Sequence, residues 1–251
     1  MVMDMTTNWN IPGDNSLAVG LRGVSRYVDI DSPVTILTES GQSGANAFAL
    51  GAAVLDSDAT RLVPFYAGFD ALETVKRALD AGDVGSVYGG FGSFRVARGT
   101  SGEELKLSAL LPILALALDL LPEPVISVFA NRASLFAADD AWFVTLRLAN
   151  ETIITLEAMA SCDPAAGREL LIEITGSDRV LRAEPFRQSV VVESLGAAPV
   201  AQTWWEDPYE RYLQLLATRA SQPATNDIDR IRNVWQAMLE SADSGQRIEL
   251  S

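Results

Sequence analysis

Six short runs between Val125 and Glu193 constrain this chain more than anything else in it. They are Val125 to Phe129, Trp142 to Leu148, Thr152 to Met159, Leu170 to Thr175, Val180 to Ala183 and Val190 to Glu193. Each is rich in β-branched or apolar residues, as strands are. Turn signals separate them: Asp139-Asp140, Asn150-Glu151 and Gly176-Ser177-Asp178. Short strands at regular spacing imply a large, mainly antiparallel open sheet. Leu107 to Leu121 is apolar on nearly all sides, so it reads as a buried helix, stopped by Pro122-Glu123-Pro124. Gly99 to Glu104 reads as a loop. Two helices close the chain. Asp207-Pro208 with Glu210 starts the first, and Ile228, Ile231, Trp235, Met238 and Leu239 mark one face of the second. The fold class is therefore α+β, an open sheet packed on helices.

A different kind of sequence precedes the sheet. Val34 to Thr38 is a β-branched run and reads as a buried strand, Ala45 to Leu55 has helical spacing, and Arg61 to Phe65 reads as the next strand. Leu17 to Val28 has helical character weakened by Gly20 and Gly23, behind a loose lead-in over residues 1 to 15. The joint is Val63 to Tyr88. Asp70 with Glu73 three residues later suits a capping box, Leu72, Val75, Ala78 and Leu79 recur at helical spacing, and Gly82 suits a helix end. The boundary expected is 1–68 for a shortened, doubly wound α/β piece and 69–251 for the sheet domain. A complete dinucleotide fold needs on the order of 120 residues. Fewer stand before Val63, and no G-x-G-x-x-G follows a strand there.

Composition narrows the chemistry. There is no histidine, which removes the commonest general base, the usual zinc sites and Ser-His-Asp or Cys-His catalysis. One cysteine, Cys162, precludes an intrachain disulfide and fits a reducing compartment. A net charge of −14 argues against nucleic acid and anionic membranes as partners. Leu105 to Leu121 carries Lys106, Pro112 and Asp119 and is too short to span a bilayer, which takes roughly 20 apolar residues. No signal peptide is visible in MVMDMTTNWN, so a cytoplasmic protein is expected.

Several segments together resemble the Gfo/Idh/MocA family of nicotinamide-dependent sugar oxidoreductases. Val63-Pro64-Phe65-Tyr66-Ala67-Gly68-Phe69-Asp70 follows the family's strand end, and Asp80-Ala81-Gly82-Asp83-Val84-Gly85-Ser86-Val87 its next turn. Leu121 to Val125 matches "G-E-P-V", Trp142 to Leu148 a strand pattern, Ile174 to Leu181 a glycine turn, and Ser244 to Leu250 the closing "S-G-(R/K)-x-(V/I)-x-L". No one of these motifs is specific; their order over Val34 to Leu250 carries the resemblance. It implies the family's C-terminal sheet domain behind a truncated Rossmann-like remnant.

The resemblance also says where chemistry would lie. The family's Lys, in Glu-Lys-Pro, falls at Ser40, and its His and Asp, in G-x-H-x-x-D, fall at Pro112 and Ala115. All three groups are lost, although Glu39 keeps the Glu. The resemblance therefore implies a non-catalytic derivative with no cofactor expected, acting as a binding, scaffold or partner subunit. The family associates through the open face of its C-terminal sheet, so a homo-oligomer is implied, and a full-length family oxidoreductase is a further partner. Phe143 and Thr145, set against Trp142, Val144, Leu146 and Leu148, are consistent with a second face of that kind.

Glu39, Tyr66 and Arg95 are candidates for what is left of a ligand pocket, and an enzyme of altered chemistry on a sugar or sugar-acid derivative would use them. A conventional oxidoreductase that borrows its nucleotide domain in trans is a further alternative, and the loss of the Lys at Ser40 and the His at Pro112 counts against it. Glu39 equally suits a helix cap, and Tyr66 equally suits packing at the domain junction. Gly41-Gln42-Ser43-Gly44 reads as a turn or an anion cradle. Gly89-Gly90-Phe91-Gly92 reads as close backbone packing or a bulge. Trp204-Trp205 suits a helix staple or a sugar platform. No metal is expected.

Overall fold

The β-branched run at Val34 does form a strand, and three other short strands pair around it. In the computed structural model the described residues are 9–10, 34–37, 47–49, 55, 61–62, 69–163, 168–194, 196–204, 208–220 and 227–250. The chain divides into two compact units, Met1–Phe69 with Glu206–Arg232, and Asp70–Trp205 with Asn233–Ser251. In the first unit β1 (Trp9–Asn10), β2 (Val34–Leu37), β3 (Ala47–Ala49) and β4 (Arg61–Leu62) form a parallel sheet in sequence order. This corrects the helix expected over Ala45 to Leu55. Ala47–Ala49 pairs with β2 on one side and β4 on the other. Two ladders on a three-residue segment outweigh a local helical spacing. The lead-in, Leu17 to Val28 and the Gly41 to Gly44 turn lie outside the described residues, apart from Trp9–Asn10.

The second unit opens with α1 (Asp70–Asp80). Asp70 and Glu73 lie in its first turn and Arg77 in its last, which suits the helix dipole, and Ala71, Leu72 and Val75 are buried. Gly82 ends it at φ +73°, with Gly82 N–H donating to Leu79 O and Asp83 N–H to Ala78 O, both at 2.9 Å. Those two bonds make a Schellman end, which needs a left-handed residue.

Then follow β5 (Val87–Ala97), α2 (Gly102–Leu105), a π-helical stretch Lys106–Leu110 and α3 (Leu111–Leu120). The loop expected over Gly99 to Glu104 is therefore part helix, because Ser101 Oγ accepts from Glu104 N–H at 3.3 Å and starts a turn. The wide π turn has a local cause. Pro112 has no N–H to give to the preceding turn, and its ring crowds the carbonyl four residues back. The strands β6 (Val125–Ala133), β7 (Ala141–Leu148), β8 (Ile153–Cys162), β9 (Glu169–Gly176), β10 (Arg179–Glu184), β11 (Ser189–Ser194) and β12 (Val200–Thr203) follow, with a 3-10 turn Pro185–Arg187 after β10. Of these, β12 was not expected. The helix α4 (Pro208–Ala220) belongs to the first unit, and α5 (Asp227–Ser244) runs from the first into the second, ahead of β13 (Ile248–Glu249).

The nine strands form one sheet in the order β12-β11-β10-β9-β5-β8-β7-β6-β13. Every pairing is antiparallel except β5 with β8. Period-two alternation splits its faces. Phe94, Val96, Trp142, Val144, Leu146, Ile154, Leu156, Ile172 and Leu181 are buried on one of them. There α3 lies directly on β5 and β8. A Cβ on Gly92 would stand 2.8 Å from Ile113 Cδ1 and 3.0 Å from Leu156 Cδ2, so the close-packing reading of the glycine run holds at this position. On the other face Phe143, Thr145, Thr155 and Leu171 are half-buried, while Phe129 and Ile153 are 39% and 40% exposed.

Two local devices hold the β6 side. Ser241 on α5, fully buried, accepts from Ala130 N–H at 2.9 Å and donates to Gln246 O at 2.6 Å, covering the β6 edge where β13 stops. Asp140 organises the turn between β6 and β7. Its carboxylate accepts from the N–H groups of Leu135, Phe136 and Ala137 at 2.6, 2.6 and 2.7 Å. Desolvation alone would raise its pKa, but those three bonds together hold it below the ordinary 3.8. A lowered carboxyl contributes stability above the ordinary value and loses it as pH falls through the folded one. Asp140→Ala should therefore lower the melting temperature by several degrees near neutral pH. The gap to the unsubstituted protein should shrink in melts at about pH 3. A gap independent of pH would contradict this.

Candidate functional site

The segment that the resemblance marks for catalysis is the helical run ending in α3. Pro112 sits in the first turn of α3, directly after the π turn that accommodates its missing N–H. Ala115 is 4% exposed, among Ile113, Leu114 and Leu116, each with no exposed surface. Two ionisable groups remain between Leu105 and Leu121, and both are engaged. Lys106 Nζ is 2.6 Å from Glu103 Oε1. Asp119 takes Lys76 Nζ on its backbone oxygen at 2.9 Å, with the Oδ2 contact at 4.0 Å. No group on this helix can take a hydroxyl proton in the way a His or Lys does. Ser40, Glu39 and Tyr66 lie outside the described residues.

Arg95 is described, and it does not face α3. Gly92 points toward Ile113, and Arg95, an odd number of positions on, points to the opposite face of the sheet. It lines a cavity of about 320 Å³ on the open face, with Phe91 and Ser93 of β5, Leu171 of β9, Arg182 of β10 and Phe186 of the 3-10 turn. The strand register brings these together: Ser93 lies opposite Leu171, and Arg95 opposite Glu169. The sequence reading missed Ser93, Arg168 and Phe186. A period-two reading from Phe91 through Ser93 to Arg95 would have found the first.

Cys162 lies near Arg95 and is buried. Burial pushes its thiol pKa up, Glu169 adds to that and Arg95 opposes it, so it is no activated nucleophile. Among the described residues no group of three or more His, Cys, Asp or Glu is placed to hold a metal ion. No described helix is long and apolar enough to cross a membrane. Trp204 follows β12 and lines a second hollow with Val190 and Val192, and Trp205 is outside the described residues.

No protein-family model and no curated protein matches the sequence. Solved structures do. An inositol dehydrogenase homologue from Azotobacter vinelandii, complexed with NADH and myo-inositol, superposes with a TM-score of 0.66 at 12% identity, over 81% of this chain and 71% of that one. An NAD-binding oxidoreductase from Klebsiella pneumoniae gives 0.66 at 12% identity, over 82% and 73%. A levoglucosan dehydrogenase complexed with NADH gives 0.65 at 13% identity, over 82% and 73%. The chain is built on the fold of these dehydrogenases, including the large sheet domain that the resemblance implied.

Proposed function

We propose that this chain is a non-catalytic derivative of the NAD(P)-dependent sugar oxidoreductase family, working as an oligomeric binding or scaffold subunit. The observation that carries this is the packing of α3. Where the family pattern calls for a proton-transferring pair, the helix presents Pro112 and a buried Ala115, and its remaining charges are paired. Proton transfer supplies about 10²–10⁴-fold of rate, so its removal leaves little of such a reaction. The turn of Arg95 away from that helix gives no substitute base or clamp beside Pro112. Among the described residues, no helix of the second unit covers the sheet face that carries Phe129, Phe143 and Ile153. A second copy is the partner we assign to that face, since an isologous pair brings the same apolar strip from both sides.

Titration calorimetry with NAD⁺, NADH, NADP⁺ and NADPH tests the reading. No saturable binding is expected at micromolar concentration. Micromolar binding of any of the four by the isolated chain would overturn it.

A further inference from the structure

The cavity beside Arg95 has a lining that neither core packing nor assembly requires. We propose that it binds a small organic acid, a carboxylate attached to a compact apolar body. Four arginines line it, Arg95, Arg168, Arg182 and Arg187, together with Glu169 and Glu184. Two of the four are already committed. Arg182 donates through Nε and Nη2 to Glu173 Oε2 at 3.0 and 2.7 Å, and Arg187 Nη1 is 2.7 Å from Glu184 Oε2. Arg95 and Arg168 make no ion pair among the described residues. Glu169, across the ladder from Arg95, is the lining carboxylate left outside an ion pair among the described residues, so Arg95 and Arg168 leave the hollow one net positive charge in a chain of net charge −14.

Ser93 supplies an independent pointer. It is only 6% exposed, lines this cavity, and its Oγ has no hydrogen-bond partner among the described residues. Buried hydroxyls are nearly always bonded, so an orphan on a cavity wall calls for an oxygen inside the cavity. A planar guanidinium matches a carboxylate through two parallel bonds, and Ser93 can donate to an oxygen alongside. Phe91, Leu171 and Phe186 form the rest of the wall, which suits an apolar body and not a bare anion. The volume is in the range of small-ligand sites.

The test is calorimetric titration of the full chain with three probes: benzoate, benzamide and inorganic phosphate. Benzoate is expected to saturate, with benzamide and phosphate weaker by about 10-fold or more, since each lacks one half of the recognition. Arg95→Gln should weaken benzoate by about 10-fold or more. Ser93→Ala should weaken it several-fold while leaving the melting temperature unchanged or higher, because it deletes an unbonded hydroxyl. If Arg95→Gln fails to fold, Arg168→Gln, outside the strands, carries the same expectation. Absence of benzoate binding, equal binding of phosphate, or undiminished affinity in a folded arginine variant would overturn the proposal. None of these outcomes depends on the nucleotide titration, so the two readings fail separately.

Discussion

Gly176→Ala is expected to destabilise the protein by about 3 kcal/mol, as overpacking against an immobile wall does. A Cβ at this position would fall inside contact distance of the Val84 carbonyl oxygen and 2.6 Å from Val84 Cγ1. The obstacle is backbone, held in place from several directions. Asp178 N–H donates to Val84 O at 3.1 Å, Ser177 N–H to Ser86 O at 3.0 Å, and Ser86 N–H to Ser177 Oγ at 3.1 Å. The turn after α1 and the β9–β10 turn are thus clamped together, and a methyl group cannot be accommodated by a rotamer change. A fall in melting temperature of roughly 6–12 °C is the expected reading for a chain of this size. Gly99→Ala is the comparison. Gly99 has φ +95° with nothing within 4 Å of an added methyl, so it carries backbone strain alone, worth about 1 kcal/mol. Equal losses at the two positions would contradict the clamp.

Replacing both Phe129 and Ile153 by glutamate is expected to reduce the assembly to single chains. Both side chains stand on the uncovered face, more than a third exposed, so the monomer's core is not opened. Ile153→Glu places a carboxylate across the ladder from Arg147, a pairing that strands tolerate. Between two copies the effect is the opposite. Each interface would gain buried carboxylates from both sides, on a chain that already carries −14, and uncompensated buried charge is costly. The expected result is loss of association by a factor of about 100 or more with little change in melting of the monomer. Unaltered assembly in a folded double variant would place the contact elsewhere.

The sheet was legible because its signal is local. Trp142, Val144, Leu146 and Leu148 alternate with Phe143 and Thr145 in the sequence and in burial alike. Turn residues bracket each run. The strand β12 was missed because all four of its residues are exposed, and Gln202 and Thr203 carry no apolar period. The segment around Phe48 was misread because its state is set by two partner strands distant in sequence. No local pattern places β5 between β8 and β9, nor makes it parallel to β8. The site divided in the same way. Pro112 and Ala115 were legible through the resemblance alone, as the places where a His and an Asp are lost. Arg95 could be placed only by the strand register, which a reading of one strand does not contain: it stands between Glu169 and Met159 and shares a cavity with Leu171, Arg182 and Phe186.

The proposed derivative would have one positive consequence, association through the face on which Phe129 and Ile153 stand. Multi-angle light scattering on the purified, unsubstituted chain measures it directly. A mass of at least twice the 27.0 kDa of one chain is expected. A mass of 27.0 kDa that does not rise with concentration would contradict it.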